Sequence, residues 1–147
     1  MHNLTIRTTM LAALLGTATG TGPAFAHEHE HEHHPGMDMT GHWMAPAKAA
    51  NKHNPVPATP ESQARGEALF QTHCAACHGG RGEGDGPAGL TLNPKPADLK
   101  AMSAHHSDGD LAWKIAHGRG AMPGWKATLK PRQIWDLVNY LRRLGDS

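Results

Sequence analysis

Beyond its first 26 residues the chain has very few β-branched aliphatic side chains, and this scarcity constrains its fold more than any other feature. The complete set in that stretch is Val56, Ile115, Ile134 and Val138. Parallel sheets and β-sandwiches need such residues in every strand. Doubly wound and all-β folds are therefore excluded, and a small all-α fold is expected.

Length and charge narrow the class of protein further. The 147 residues suit one modest domain with extensions. Lys and Arg number 14 against 13 Asp and Glu and are dispersed along the chain, so no nucleic-acid-binding surface is predicted. No apolar run reaches the length of about 18 residues that indicates a membrane span.

Residues 1–26 have the three regions of an export signal in the correct order. Arg7 supplies the positive charge, residues 10–15 form the apolar centre, and Ala24-Phe25-Ala26 matches the cleavage pattern of small residues. Cleavage after Ala26 would leave a mature chain that begins at His27. We therefore predict a periplasmic protein without a membrane span once the signal is removed.

The remainder of the chain divides into two regions of different composition. Residues 27–59 contain seven His and four Pro with few large apolar side chains, so we predict a flexible His/Met/Pro-rich arm. Residues 60–147 contain both cysteines and most of the aromatic side chains. This second region is the predicted domain, and a domain so short often needs a cofactor or a cross-link for stability.

Three main helices are predicted in the domain. Thr59 as N-cap followed by Pro60 marks the start of the first, which runs towards Cys74. The second starts at Ser107, with Asp110 as the acidic partner in a capping box, and ends near Gly118.

The third helix is predicted by its apolar periodicity. It starts after Pro131, and its apolar positions recur with helical spacing. These positions are Ile134, Leu137, Val138, Leu141 and Leu144. Between the first two helices, the Gly/Pro-rich residues 79–96 are predicted to form a loop.

The segment Cys74-Ala75-Ala76-Cys77-His78 is the most specific motif in the chain. Cys-x-x-Cys-His is an attachment signature for haem c, in which two thiols one helical turn apart bind the porphyrin and the adjacent imidazole reaches the iron. A thioredoxin-like pair would need a βαβ unit. A zinc site would need further ligands, such as His105 and His106, at a recognised spacing, and a plain disulfide would leave His78 unexplained.

The second axial ligand of the iron must come from another part of the chain. Met122 precedes Pro123, which disfavours helical backbone, so its thioether is predicted on extended chain able to cross a haem face. The alternatives are Met102, His105, His106 and His117, with a bis-His site as the main competitor.

Further pieces of the sequence accompany these two motifs. They are Gly66 and Phe70 ahead of the cysteines, Gly84-Asp85-Gly86-Pro87 after them, and the closing helix from Ile134 to Leu141. Together they resemble a class I c-type cytochrome of the bacterial monohaem kind. The resemblance implies a cytochrome c fold around one covalently bound haem c per chain, with the first and last helices crossing at right angles. It places Gly66 and Phe70 against Leu137 and Tyr140.

The resemblance also implies a support for the axial histidine. In this family a proline carbonyl accepts a hydrogen bond from the histidine ring, and Pro87 resembles that proline, with Pro94 and Pro96 as alternatives. The chain departs from the family pattern at its last helix, where Lys130-Pro131 stands in place of a Ser or Thr N-cap.

The predicted function is one-electron transfer in the periplasm. An iron with His78 and Met122 as axial ligands has no open position for a substrate, so an electron carrier is expected rather than an enzyme. Its partners would be a donor dehydrogenase or reductase and an acceptor oxidase or reductase. The alternatives are a haem subunit of a periplasmic dehydrogenase complex and a metal-handling protein that works through the His-rich arm.

The arm itself suggests metal binding as a separate hypothesis. Imidazoles suit copper, nickel and zinc, and the thioethers of Met37 and Met39 suit cuprous ion. After cleavage at Ala26, His29 would be the third residue of the mature chain. A free α-amine, two backbone amides and that imidazole resemble the amino-terminal copper and nickel motif.

Overall fold

A computed structural model describes residues 42–147 of the chain. The predicted signal, residues 1–26, and the first part of the predicted arm, residues 27–41, lie outside the described residues. The described part contains the α-helices α1 (Ala47–Ala50), α2 (Pro60–His73), α3 (Ala75–His78), α4 (Leu99–Ser103), α5 (Asp108–His117) and α6 (Pro131–Gly145). Residues 42–147 contain no β-strand, only an isolated bridge between Arg119 and Met122. The all-α class is confirmed.

The three predicted helices are the three long ones, α2, α5 and α6. The hydroxyl of Thr59 accepts a hydrogen bond from the Ser62 amide at 3.2 Å, as expected of an N-cap. Ser107 accepts one from the Asp110 amide at 3.2 Å. The reciprocal half of the predicted capping box is wrong, because the Asp110 carboxylate is buried among other partners. The short helices α1, α3 and α4 were not predicted.

The start of α6 has a cap of a different kind from the family pattern. The side chain of Gln133 accepts a hydrogen bond from the Lys130 amide at 2.8 Å. Pro131 occupies the first helical position, where its missing N–H has no cost. A side chain inside the first turn thus supplies the hydrogen bond that a preceding Ser or Thr would otherwise make.

Helices α2 and α6 pack closely at Gly66. A β-carbon at this position would clash with the backbone carbonyl of Asp136 and the β-carbon of Tyr140. One turn further along α2, the Phe70 ring lies 5.2 Å from the Tyr140 ring between centroids. The implied contact of Gly66 and Phe70 with α6 is therefore present, and it depends on the absence of a side chain at Gly66.

The apolar core lies between α2, α5 and α6. Phe70, Leu137 and Val138 are almost completely buried at its centre. The core also contains Leu111, Ala112, Ile115, Leu129, Ile134, Tyr140 and Leu141. Three of the four β-branched aliphatic residues beyond residue 26 thus lie in the core.

A buried carboxylate joins α2 to α6 beside this core. Asp136 accepts hydrogen bonds from the Ser62 hydroxyl at 2.6 Å and from the Arg65 guanidinium at 2.8 and 3.0 Å. Burial opposes ionisation of the carboxyl, but the hydrogen bonds from Arg65 and Ser62 outweigh it and lower the pKa of Asp136. Ser62, Arg65 and Asp136 thus form a charged hydrogen-bond network between α2 and α6.

Residues 42–59, which were predicted to belong to the flexible arm, pack against the domain. The Ala45 amide donates to the buried Asp110 carboxylate at 2.5 Å. Asn54 donates to Asn139 of α6 at 2.8 Å, and Asn139 donates to the Val56 carbonyl at 3.0 Å. Hydrogen bonds to buried polar groups account for this packing, and an argument from composition, which considers only apolar burial, does not include them.

Candidate haem site

One large cavity lies beside the core, with a volume of about 750 Å³. This volume lies in the range of pockets that hold cofactors, about 300–1,000 Å³. Its walls are largely apolar and come from α2, α5, α6 and the loop after α5. The apolar side chains on these walls include Phe70, Leu92, Leu111, Ile115, Leu137 and Leu141. A large, mainly apolar cofactor therefore fits the chemistry of this cavity.

The two cysteines and the adjacent histidine line this cavity together. Cys74 ends α2, and α3 begins directly after it. The amides of Cys77 and His78 donate to the Cys74 carbonyl at 3.1 and 2.9 Å. This turn brings both thiols, which are free, to the same cavity. The motif is thus arranged as attachment to a single cofactor requires.

The environment of Cys74 does not favour a thiolate. Burial, followed by the neighbouring Cys77, raises the pKa of the Cys74 thiol to about 11. Redox-active and metal-binding cysteines instead have a lowered pKa near positive charge. Residues 42–147 contain no group of three His, Cys, Asp or Glu side chains placed to hold a bare metal ion. These observations argue against the zinc and thioredoxin-like alternatives.

The ring of His78 is oriented by a backbone carbonyl. Its Nδ1 lies 3.0 Å from the carbonyl oxygen of Ala97. Since a carbonyl can only accept, Nδ1 carries the proton and Nε2 keeps the lone pair that a metal needs. The expectation that Pro87, Pro94 or Pro96 supplies this carbonyl is wrong, because the chain places the residue after Pro96 against the ring.

Met122 lines the same cavity from the loop that follows α5. The amide of each of Arg119 and Met122 donates to the other's carbonyl at 3.0 Å, which closes a tight turn. Gly118 precedes this turn at φ +65°, and a β-carbon there would clash with the Met122 carbonyl. The Trp125 amide then ties the loop back to the Ile115 carbonyl at 3.0 Å. The position of Met122 is thus fixed by backbone hydrogen bonds.

The structure separates the rival ligands into two groups. Met102 and His106 line the cavity, whereas His105 and His117 do not. His117 instead stacks on Trp113, with 4.5 Å between ring centroids. Of the predicted alternatives to Met122, Met102 and His106 therefore remain.

Sequence reasoning missed several residues of the cavity wall. His42, Trp43, His73, Lys114 and Arg119 all line it. His42 and Trp43 precede the predicted domain, and the sequence around them does not indicate that they line a cavity. Lys114 is on the inner side of α5, where a charged residue is not expected.

Lys114 belongs to a buried cluster of three ionisable groups. The Asp110 carboxylate lies 2.6 Å from both Lys114 Nζ and His106 Nδ1. Burial opposes ionisation of Asp110, but Lys114 and the Ala45 amide outweigh it and lower the pKa of this carboxyl. Burial, followed by the positive charge of Lys114, lowers the pKa of His106. Asp110 is therefore the common partner of Lys114 and His106 in this buried cluster.

Comparison with known proteins decides the family. The protein-family model described as cytochrome C oxidase, cbb3-type, subunit III matches residues 61–141. The chain belongs to the class I c-type cytochromes. Cytochromes of this class carry covalently bound haem c, and Cys74 and Cys77 fit such a site. The resemblance inferred from the motifs is thereby confirmed.

The relatives of this cytochrome are of two kinds. It is 34% identical to cytochrome c6 of Nostoc sp. over 91 residues, which cover 62% of this chain and 78% of the relative. It is 37% identical to cytochrome c6 of Synechocystis sp. over 78 residues, or 53% of this chain and 62% of the relative. It is also 35% identical to the cbb3-type cytochrome c oxidase subunit FixP of Bradyrhizobium diazoefficiens over 83 residues, or 56% of this chain and 27% of FixP.

A solved structure shows the same fold. A chain of the reducing HAO-like protein complex of Kuenenia stuttgartiensis superposes with a TM-score of 0.54 at 23% identity, covering 61% of this cytochrome and 46% of that chain. Within the described part of the cytochrome, no helix is long and apolar enough to cross a membrane. The cytochrome c fold and the role of haem-based electron carrier follow from the family.

Proposed function

We propose that this cytochrome is an exported one-electron carrier of the periplasm and not an enzyme. One haem c would be attached through Cys74 and Cys77, with His78 and Met122 as the axial ligands of its iron. The observation that carries the proposal is that all four side chains line one cavity. When bound, haem c supplies a one-electron ferric/ferrous couple.

The surroundings of His78 and Met122 favour an electron carrier rather than an enzyme. The Ala97 carbonyl holds the His78 ring and increases the basicity of its Nε2. The loop bonds of Met122 fix the backbone that carries its thioether, and thioether ligation favours the reduced state. With both axial positions assigned to side chains, no position is left for a substrate.

The export signal predicted at residues 1–26 supports the periplasmic location, where haem c is assembled. In this proposal the mature chain begins at His27, and the cytochrome c domain of residues 60–147 carries the site, with residues 42–59 packed on it. Its redox partners would be a donor dehydrogenase or reductase and an acceptor oxidase or reductase.

The match to FixP favours a second candidate function. A cytochrome domain similar to part of an oxidase subunit could serve as the haem subunit of a larger complex, including a periplasmic dehydrogenase. Purification of the native protein under mild conditions separates the two functions. A partner that remains with the haem band through size exclusion supports the subunit, and a lone cytochrome supports the free carrier.

The experiment that tests the main proposal is a reduced-minus-oxidised absorption spectrum of the purified exported protein, paired with a haem stain after denaturing electrophoresis. Sharp haem c bands and a stain at the mass of the mature chain support it. A colourless exported protein contradicts it.

A further inference from the structure

A short segment ahead of the predicted domain lies at the edge of the cavity. This segment, the N-terminal strap, comprises residues 42–46, and its Trp43 side chain lines the cavity. The buried Ala45 anchors the strap, because the Ala45 amide donates to the Asp110 carboxylate of α5 at 2.5 Å. The strap precedes residues 61–141, which the family model matches. Support that the strap gives to the haem site is therefore additional to the family domain.

The helix that follows the strap fixes its path a second time. Helix α1 packs on the start of α5, where the Ser107 hydroxyl donates to the Ala50 carbonyl at 2.6 Å. A β-carbon at Gly109 would clash with the carbonyls of Ala49 and Ala50, so the two backbones are in close contact. The strap is thus attached to α5 at Asp110 and again through α1.

The half-buried Trp43 ring contacts two cations and a second indole ring. Arg119 Cζ lies 4.9 Å and Lys114 Nζ lies 5.7 Å from the ring centroid, both within the limit of about 6 Å for a cation–π contact. Trp113 meets the Trp43 ring edge to face, with 6.2 Å between centroids. Because Trp113 and Lys114 belong to α5, Trp43 connects this helix to the loop that follows it.

Arg119 belongs to the turn that carries Met122. The amide of each of these two residues donates to the other's carbonyl at 3.0 Å, so a movement of Arg119 displaces the Met122 backbone. The turn itself is loosely packed at Gly120, since none of residues 42–147 apart from its chain neighbours comes within 4 Å of a β-carbon placed there. Glycine backbone is also freer than that of other residues. The contact of the Arg119 side chain with Trp43 therefore restricts a turn that has little stiffness of its own.

We propose that Trp43 is a positioning residue for Met122 and that it acts through Arg119. This inference rests on the proposed haem site. The strap fixes the Trp43 ring, the ring holds the Arg119 guanidinium, and the Arg119 backbone holds the turn that presents Met122 to the cavity. The contact favours the arrangement in which the thioether occupies its axial position. Without the contact the turn opens more often, and the iron becomes more accessible to an added ligand.

The test measures how readily the turn opens in the haem-loaded protein. Imidazole added to the ferric protein competes with the thioether for the iron, and loss of the near-infrared band of methionine-ligated iron reports its affinity. We expect Trp43→Leu to bind imidazole about threefold to tenfold more tightly than the wild type, as loss of a cation–π contact implies. Trp43→Phe keeps an aromatic face and should lie between the two.

Trp135→Leu is the matched control for a general loss of stability. Trp135 is also half-buried and packs against the core, but it does not line the cavity. The imidazole affinity of Trp135→Leu should therefore equal that of the wild type. Hydrogen exchange supplies a second measurement, since the amides of Arg119 and Met122 are bonded across the turn. Their exchange should accelerate in Trp43→Leu by a factor similar to the gain in imidazole affinity.

A double variant tests whether Arg119 transmits the effect. Arg119→Gln removes the cation from the Trp43 ring and should raise the imidazole affinity as Trp43→Leu does. The protein with both substitutions should bind imidazole about as tightly as either single variant, because the two changes remove the same contact. Fully additive effects overturn the proposal, since Trp43 would then act by a route that does not include Arg119.

The remaining outcomes separate this inference from the proposed function. Unchanged imidazole affinity and amide exchange in Trp43→Leu, with haem attached and the near-infrared band present, overturn this inference alone. An equal effect in Trp135→Leu also overturns it, because a general loss of stability would then explain the result. If Trp43→Leu does not fold, Trp43→Phe and Arg119→Gln decide the matter by the same measurements. Absence of covalent haem, or of the near-infrared band, from the wild type overturns the proposed function on which this inference rests.

Discussion

The Nδ1 atom of His78 lies 3.0 Å from the carbonyl oxygen of Ala97. This contact joins the end of α3 to a loop residue nineteen positions later, and it determines which ring nitrogen is free for a metal. The loop between them is itself held to the motif, because the Gly84 amide donates to the His78 carbonyl at 2.8 Å. The His78 ring is thus oriented by the path of the backbone.

The first prediction concerns attachment through the cysteines. If thioethers bind the haem, acid–organic extraction will leave the colour with the polypeptide. Cys77→Ala should reduce or abolish haem incorporation, because one of the two bonds is lost. The measurement is the haem absorbance that remains with the protein after extraction, relative to the wild type. Haem that is fully extracted from the wild type contradicts covalent attachment.

The second prediction concerns the axial methionine. The ferric protein should show the weak near-infrared charge-transfer band of methionine-ligated iron, and Met122→Ala should remove the band and lower the reduction potential. Met102→Ala is the matched control, since Met102 lines the same cavity. A band that disappears in Met102→Ala and persists in Met122→Ala would assign the ligand to Met102. A wild-type spectrum without the band would favour a bis-His site, for which His42, His73 and His106 all line the cavity.

The third prediction concerns the contact between α2 and α6. Gly66→Ala should destabilise the protein by about 2–3 kcal/mol, since the new methyl group meets backbone that cannot move without separating the helices. Gly80→Ala is the control, because a β-carbon there would make only an ordinary contact, 3.9 Å from the Gln71 side chain. Thermal unfolding followed by circular dichroism measures both. Equal melting temperatures for the two variants would show that the helices separate at little cost.

The fourth prediction concerns stability in acid. The pKa of Asp136 is lowered in the folded state, so the ionised carboxylate contributes stability above its unfolded pKa of about 3.9. That contribution is lost as the pH falls through the lower, folded pKa. Asp136→Asn should therefore be less stable at pH 7 and should lose less stability between neutral pH and pH ~3 than the wild type. Urea unfolding across this range measures the slope, and parallel slopes would contradict the assignment.

The long helices and the Cys-x-x-Cys-His motif could be predicted from the sequence because both have local signatures. N-caps such as Thr59 and Ser107 can be predicted from the few residues that follow them. The Cys-x-x-Cys-His motif is equally local, because its residues lie within about one helical turn. The support from Ala97 could not be predicted, since a backbone carbonyl has no sequence signature and its position depends on how a Gly/Pro-rich loop closes. The packing of Trp43 and Asn54 was missed for a related reason: each contacts residues far away in the chain, inside a segment whose composition suggests no core.

The last prediction concerns the amino-terminal His run, residues 27–34, which lies outside the described residues. We propose that it captures copper separately from electron transfer. The free α-amine of His27, two backbone amides and the His29 imidazole would supply four nitrogens in the square-planar arrangement that cupric ion prefers. Calorimetric titration of Cu(II) into the mature protein should give tight binding that acetylation of the α-amine weakens and deletion of residues 27–34 abolishes. Loss on deletion but not on acetylation would place the metal on the His run rather than on the terminus. Equal affinity in all three proteins would mean that the arm is not the copper site.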